Sequence, residues 1–149
     1  MSPRTFLLLN LALAFYNVGT IWAHEIDIFP SWRLLDGAVF GRVQQSHWRK
    51  LPYWVFAPVL LSFAGATGLF WYGPIPSPRW IAGAAFSAQF ASHLLTASLW
   101  GPWQARLSRD PLGGASPWLG RILSTHWLRT LLISVYGALL LMWALRLSA

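Results

Sequence analysis

The chain contains no cysteine, which excludes disulfides, thiol redox chemistry and thiolate-held iron–sulfur clusters. A quinone-linked thiol oxidoreductase is thereby ruled out. Charge is also scarce. Charged residues make up 10% of the sequence, against about a quarter in soluble domains. Only four carboxylates are present: Glu25, Asp27, Asp36 and Asp110. There is no internal repeat and no low-complexity segment.

What is abundant is apolar surface. Apolar residues make up 56% of 149 residues. A soluble domain of this size has too little interior to hide them, so lipid is the expected solvent. The net charge of +7 would point to nucleic acid in a soluble protein. Here the basic residues are scattered between apolar runs, as charges flanking membrane spans are, and no nucleic-acid partner is expected.

Four apolar runs of about 20 residues, 5–23, 53–72, 81–100 and 126–145, are each long enough to cross the hydrocarbon layer as a helix. The first follows Arg4 and ends at Ala23, as a signal peptide does. It is longer than a signal peptide's apolar region, however, and Ile21 is a poor residue before a cut. A retained span is expected. The fold expected is therefore all-α: one domain, 1–149, an integral membrane four-helix bundle. Between spans one and two, residues 32–48 read as a short interfacial amphipathic helix. Residues 73–78, with three prolines, read as a stiff turn. Asp110-Pro111-Leu112-Gly113-Gly114 reads as a second turn.

Trp22, Trp54, Trp71, Trp80, Trp100, Trp127 and Trp143 fall near span ends, where indoles anchor at headgroups. The third span is rich in small residues, including Gly83, Ala84, Ala85, Ser87, Ala88, Ala91 and Ser92, and is expected to pack centrally. Arg4, Arg79 and Arg146 lie on one side of the four spans. Arg33, Arg42, Arg49, Lys50, Arg106, Arg109 and Arg121 lie on the other, with Arg129 just inside the fourth span. The richer side is expected to be cytoplasmic, with both termini outside, in a bacterial inner membrane.

All four histidines fall toward that cytoplasmic end. His24 closes span one, His47 precedes span two and His126 opens span four. His93 lies seven residues before Trp100, about 10 Å deeper. Asn10, Asn17 and His24 share one helical face. Gln89, His93, Thr96 and Trp100 share another, as do His126, Arg129, Ile133 and Tyr136. Polar groups are costly in hydrocarbon and turn inward, so the three faces are expected to meet. The candidate metal ligands are His24, Glu25, His47, His93 and His126, a donor set suited to iron, zinc or copper. The same histidines suit acid–base chemistry or haem ligation. Each has a plainer reading. An interfacial histidine is often solvated, His24-Glu25 can simply end a span, and asparagines are often helix–helix contacts. Arg129 either snorkels or pairs with Glu25 or Asp27.

The run Ser124-Thr125-His126-Trp127-Leu128-Arg129-Thr130 resembles the His-x-x-Arg-Thr start of the last span in the anthrone-oxygenase-like membrane proteins. Residues 40–58, with Val43-Gln44-Gln45, Leu51-Pro52 and Phe56, resemble that family's entry to its second span. The family's third span ends in a short polar motif, where this chain has residues 96–107. The chain departs from the family at His47, near which asparagine is common, and in its His24-Glu25-x-Asp27 cluster. The resemblance implies a four-span fold and oxidation of an anthrone to an anthraquinone by dioxygen.

The functional expectation is an oxygenase or oxidoreductase for a lipophilic, aromatic substrate that enters from the bilayer. Its expected catalytic residues are His93, His126, Arg129, Asp27 and Gln89. The rival expectations are a haem-, metal- or pigment-binding redox subunit and a non-catalytic subunit of a larger membrane complex or homo-oligomer.

Overall fold

The computed structural model describes residues 1–75 and 78–147. Among them are four long helical rods and no strand. Ser2 opens the first rod. Its hydroxyl accepts from the Thr5 backbone N–H at 3.1 Å, and Pro3 fills the first turn, where a missing N–H costs nothing. Helix α1 (Pro3–Ala23) passes through a π-helical turn, His24–Ile28, into the short α2 (Phe29–Trp32).

Asp36 starts the second rod by accepting from the Val39 N–H at 2.8 Å. Helix α3 (Gly37–Leu51), a π turn (Pro52–Phe56) and α4 (Ala57–Tyr72) follow without a break. The third rod is α5 (Arg79–Leu95), a π turn (Thr96–Trp100) and α6 (Gly101–Leu107). The fourth is the single helix α7 (Pro117–Arg146), capped by Ser116.

The rods form a closed ring. Helix α1 packs on α4 and α7, and α5 packs on the same two from the other side. Of the small residues singled out on α5, Ala85, Ala88 and Ser92 are buried, Gly83, Ala84 and Ala91 are half-buried and Ser87 is exposed. Helices α1 and α4 approach closely at Gly65, where a Cβ would lie 1.6 Å from the Asn10 Oδ1.

Three rods are long and apolar enough to cross a membrane: Pro3–Trp32, Gly37–Tyr72 and Pro117–Arg146. The third rod is also long, but Gln89, His93 and several serines lower its apolar content. The outward faces of all four carry large apolar side chains, among them Leu9, Leu61, Phe90, Leu94 and Leu131.

Several expectations change. Residues 37–51 are helical and amphipathic, but they do not form a separate interfacial helix. At Pro52–Phe56 the helix widens and continues into the apolar run expected at 53–72. The rods also outrun the apolar runs. At about 1.5 Å per residue they measure roughly 45–55 Å, against about 30 Å of hydrocarbon. Trp22, Trp71, Trp80 and Trp127 are exposed near rod ends or on outer faces, but Trp100 and Trp143 are fully buried packing residues and not anchors. The stiff turn expected at 73–78 falls partly on residues 76 and 77, outside the described residues.

Two apolar cores result. Leu7, Ala14, Leu69, Ile81, Tyr136 and Trp143 fill one end of the ring. The overhanging rod ends form the second, with Phe29, Trp32, Phe40, Leu107, Leu119 and Ile122. The loop after α6 closes against this second core. Gly113 takes a left-handed φ of 55°, and a Cβ on Gly114 would lie 2.5 Å from the Trp32 carbonyl oxygen.

Candidate functional site

A polar layer lies between the two cores, at the level where three rods widen into π turns. Each widening has the same cause. A proline sits two residues beyond each π turn: Pro30 after His24–Ile28, Pro58 after Pro52–Phe56, and Pro102 after Thr96–Trp100. A proline inside a helix has no N–H to donate and its ring collides with the carbonyl four residues back. The helix relieves the collision by widening. The residue before each proline bonds five residues back: Phe29 N–H to His24, Ala57 N–H to Pro52, and Gly101 N–H to Thr96. At Trp54, four residues before Pro58, the Tyr16 hydroxyl donates to the carbonyl at 2.8 Å.

The first π turn brings His24 and Glu25, adjacent in sequence, to different neighbours. Glu25 faces the fourth rod. Its Oε2 lies 2.6 Å from His126 Nδ1, the one carboxylate–base contact within ion-pair distance among the described residues. The Thr130 hydroxyl donates to the same oxygen at 3.3 Å. A neutral imidazole that donates through Nδ1 carries its lone pair on Nε2. That atom of His126 is buried, has no partner, and belongs to a cavity-lining side chain.

His24 faces the second rod. Its Nδ1–H donates to the Thr20 carbonyl at 2.7 Å, and its ring stacks on Trp54 with centroids 5.5 Å apart. The His47 ring meets it edge-on at 5.3 Å. Trp32 closes on His47 at 5.2 Å. Phe29 packs against His24 at 5.2 Å and against His126 at 4.8 Å. The Trp100 indole donates to the Thr125 hydroxyl at 3.0 Å, and the Arg129 guanidinium lies 5.8 Å from its ring centroid.

These groups surround a cavity of about 80 Å³, room for a few waters or part of a small ligand. The walls are mostly apolar. Besides His126 Nε2, three buried polar atoms of its lining side chains have no partner: Trp48 Nε1, Arg129 Nε and Asn17 Oδ1. The other side of Asn17 is fixed, since its Nδ2 donates to the Ser62 hydroxyl at 2.7 Å.

Of the residues singled out in the sequence, His24, His47, His126 and Arg129 line the cavity, and Glu25 reaches it through His126. The inward face of Asn10, Asn17 and His24 is buried as expected. Three others lie elsewhere. His93 does not line the cavity. It donates through Nδ1 to the Gln89 carbonyl at 2.8 Å and packs on Phe63. Gln89 is buried but also lies off the cavity. Asp27 is exposed and accepts from the Ser31 hydroxyl. The third rod contributes instead through Thr96, Trp100 and Gln104, in and beyond its π turn. Of the two readings of Arg129, snorkelling or pairing with Glu25 or Asp27, no such pairing is found among the described residues, and Glu25 is taken by His126.

No group of three or more His, Cys, Asp or Glu side chains among the described residues is arranged to hold a metal. Two of the expected donors are withdrawn: His93 lies off the cavity, and Glu25 is taken by the Nδ1–H of His126.

Sequence reasoning missed Trp48, Thr20, Phe29 and Gln104. The available signal was the set of proline pairs, Phe29-Pro30, Ala57-Pro58 and Gly101-Pro102, all placed at one end of the apolar runs. Comparison with protein-family models, with curated proteins and with solved structures finds no match.

Proposed function

We propose that the chain crosses a bilayer four times and that the polar layer is the active site of an enzyme acting on a lipophilic, aromatic substrate. The apolar outer faces of all four rods support four crossings, including Phe90 and Leu94 on the third. The excess of arginine and lysine at the cavity end supports placing that end in the cytoplasm, with both termini outside.

One observation carries the chemistry: the His126–Glu25 contact at 2.6 Å, with the other imidazole nitrogen unpartnered at the cavity. A carboxylate behind Nδ1 fixes the tautomer, orients the ring and stabilises the imidazolium that forms when Nε2 takes a proton. His126 is the general base and Glu25 its positioning residue. Thr130 holds the same carboxylate oxygen.

The proton comes from a carbon made acidic by a neighbouring carbonyl and aromatic rings. The electron pair left behind delocalises onto the substrate oxygen, beside Arg129. Dioxygen is the oxidant. One of its atoms becomes the new carbonyl oxygen, and the other leaves as water with the two hydrogens of the methylene. This is the overall conversion of an anthrone to an anthraquinone. The resemblance of residues 124–130 to the anthrone-oxygenase-like proteins supports that choice of reaction.

The test is dioxygen uptake by the protein in lipid vesicles supplied with an anthrone. His126→Ala should abolish the uptake above background while leaving the helical circular dichroism unchanged. Full activity in that variant refutes the reading.

A further inference from the structure

The hydrogen bonding of the cavity is incomplete. Glu25 is hydrogen-bonded to the neutral His126 imidazole, and no carboxylate lies within ion-pair distance of Arg129 among the described residues. The Arg129 Nε is buried without an acceptor. So is the indole N–H of Trp48, on the opposing second rod. Both side chains line the same cavity. The nearest aromatic face, Trp100, offers the guanidinium a π surface at 5.8 Å but no hydrogen-bond acceptor.

A cation in an apolar wall is costly unless an anion meets it. Two cavity-lining donors on facing rods, and a carboxylate already engaged by His126, define what does so. The occupant supplies an oxygen that accepts two hydrogen bonds and carries negative charge, and the rest of it is apolar, like the walls. We infer that the cavity binds its ligand in the ground state as an oxyanion on an apolar body, with Arg129 as counter-ion and Trp48 as second donor. This rests on the cavity being the substrate site and adds the charge state of the bound molecule. A carboxylate and a phenolate share that chemistry, and neither is the enolate that His126 generates during turnover.

The test uses the full chain in nanodiscs and three probes: 2-naphthol, its methyl ether and dodecanoate. Ionised 2-naphthol absorbs at longer wavelength than the neutral form, so the bound charge state is read directly. The expected result is naphtholate on the protein at a pH at least about one unit below the free ionisation midpoint, a tenfold preference for the anion. The methyl ether should bind at least about tenfold more weakly, the effect of losing one charge-assisted hydrogen bond.

Arg129→Gln should return the midpoint to its free value, and Arg129→Lys should retain part of the shift. Trp48→Phe, which keeps the ring and removes the N–H, should weaken the anion and leave the ether unchanged. Displacement of naphtholate by dodecanoate identifies a general oxyanion site, and its failure to displace identifies a phenolate site. Naphthol bound in its neutral form, naphthol and ether bound equally, or no binding of naphthol and dodecanoate, each overturns the inference.

His126→Ala separates the two proposals. If the shift is absent while dioxygen uptake still depends on His126, only the oxyanion inference fails. A persistent shift with uptake indifferent to His126 removes only the general base.

Discussion

Glu25 and His126, 101 positions apart in sequence, meet at 2.6 Å between the first and fourth rods. The contact joins a carboxylate on a π turn to an imidazole just inside the last span. Glu25→Gln keeps a hydrogen-bond acceptor behind His126 but removes the charge that stabilises the imidazolium. Turnover should fall by on the order of 10²-fold or more, the usual scale for general acid–base catalysis. Substrate affinity should change little. Measuring kcat and KM for dioxygen uptake decides it, and an effect confined to KM contradicts the assigned role.

Pro102 is responsible for the π turn that places Trp100. Pro102→Ala restores an N–H that can meet the Ser98 carbonyl, and an ordinary α-helix adds a favourable residue there. Regularising the helix by one residue rotates the preceding turn by about 100° and moves Trp100 away from Thr125 and Arg129. The expected outcome is a thermal midpoint in detergent that is unchanged or higher, with turnover lowered at least about tenfold. A variant that loses midpoint and activity in proportion would show the π turn to be structural only.

Gly65 is the closest contact between α1 and α4. Gly65→Ala places a Cβ on Asn10, which is held through its Nδ2 to the Phe6 carbonyl at 2.8 Å. Overpacking of this kind costs about 1–3 kcal/mol. The double variant Gly65→Ala, Asn10→Ala should recover most of the loss, since the obstructing amide is gone. Denaturation midpoints of the two variants measure the coupling, and additive losses would contradict the contact.

Asp110 organises the loop that closes the second core. Its carboxylate accepts from the Ser116 hydroxyl at 2.7 Å and the Leu112 N–H at 3.0 Å, and these bonds hold its pKa below the ordinary carboxylate range. A lowered pKa stabilises the folded loop above the unfolded value, near 4, and that contribution is lost as pH falls through the folded one. Amide exchange protection over residues 112–118 should therefore drop under acid, below about pH 4. Asp110→Asn should lack that acid-dependent step. Protection that is flat with pH in the parent protein would contradict the assignment.

His93 has a buried Nε2 without a partner but lies off the cavity. His93→Ala should lower stability through lost packing on Phe63 while kcat stays within about threefold of the parent, because no reacting group touches it. Loss of turnover at full stability would move the site toward the third rod.

Much of the inward-facing pattern is legible from the residues alone. The seven-residue recurrence of Asn10, Asn17 and His24 places them on one buried face, because helical periodicity and the cost of polar groups in oil are local facts. His126 and Ile133 follow the same rule and line the cavity. The rule fails for the third rod. A π turn at Thr96–Trp100 shifts the helical phase, so His93 and Trp100, which share a face in a regular helix, do not share the cavity. The rod lengths were hidden for another reason: the helices continue past the apolar runs into more polar sequence.

The side-chain types alone decided that this chain is helical and suited to lipid, that thiol chemistry is absent, and that basic and imidazole groups collect at one end. Those properties come from composition and from periodicities a few residues long. Tertiary structure alone decided which donors meet. Glu25 pairs with His126 and not Arg129, Asp27 points away, and Arg129 faces a cavity with no carboxylate partner. Such pairings depend on ångström-scale distances between rods, set by how three proline-widened turns pack at one level, and no spacing along a single helix encodes them.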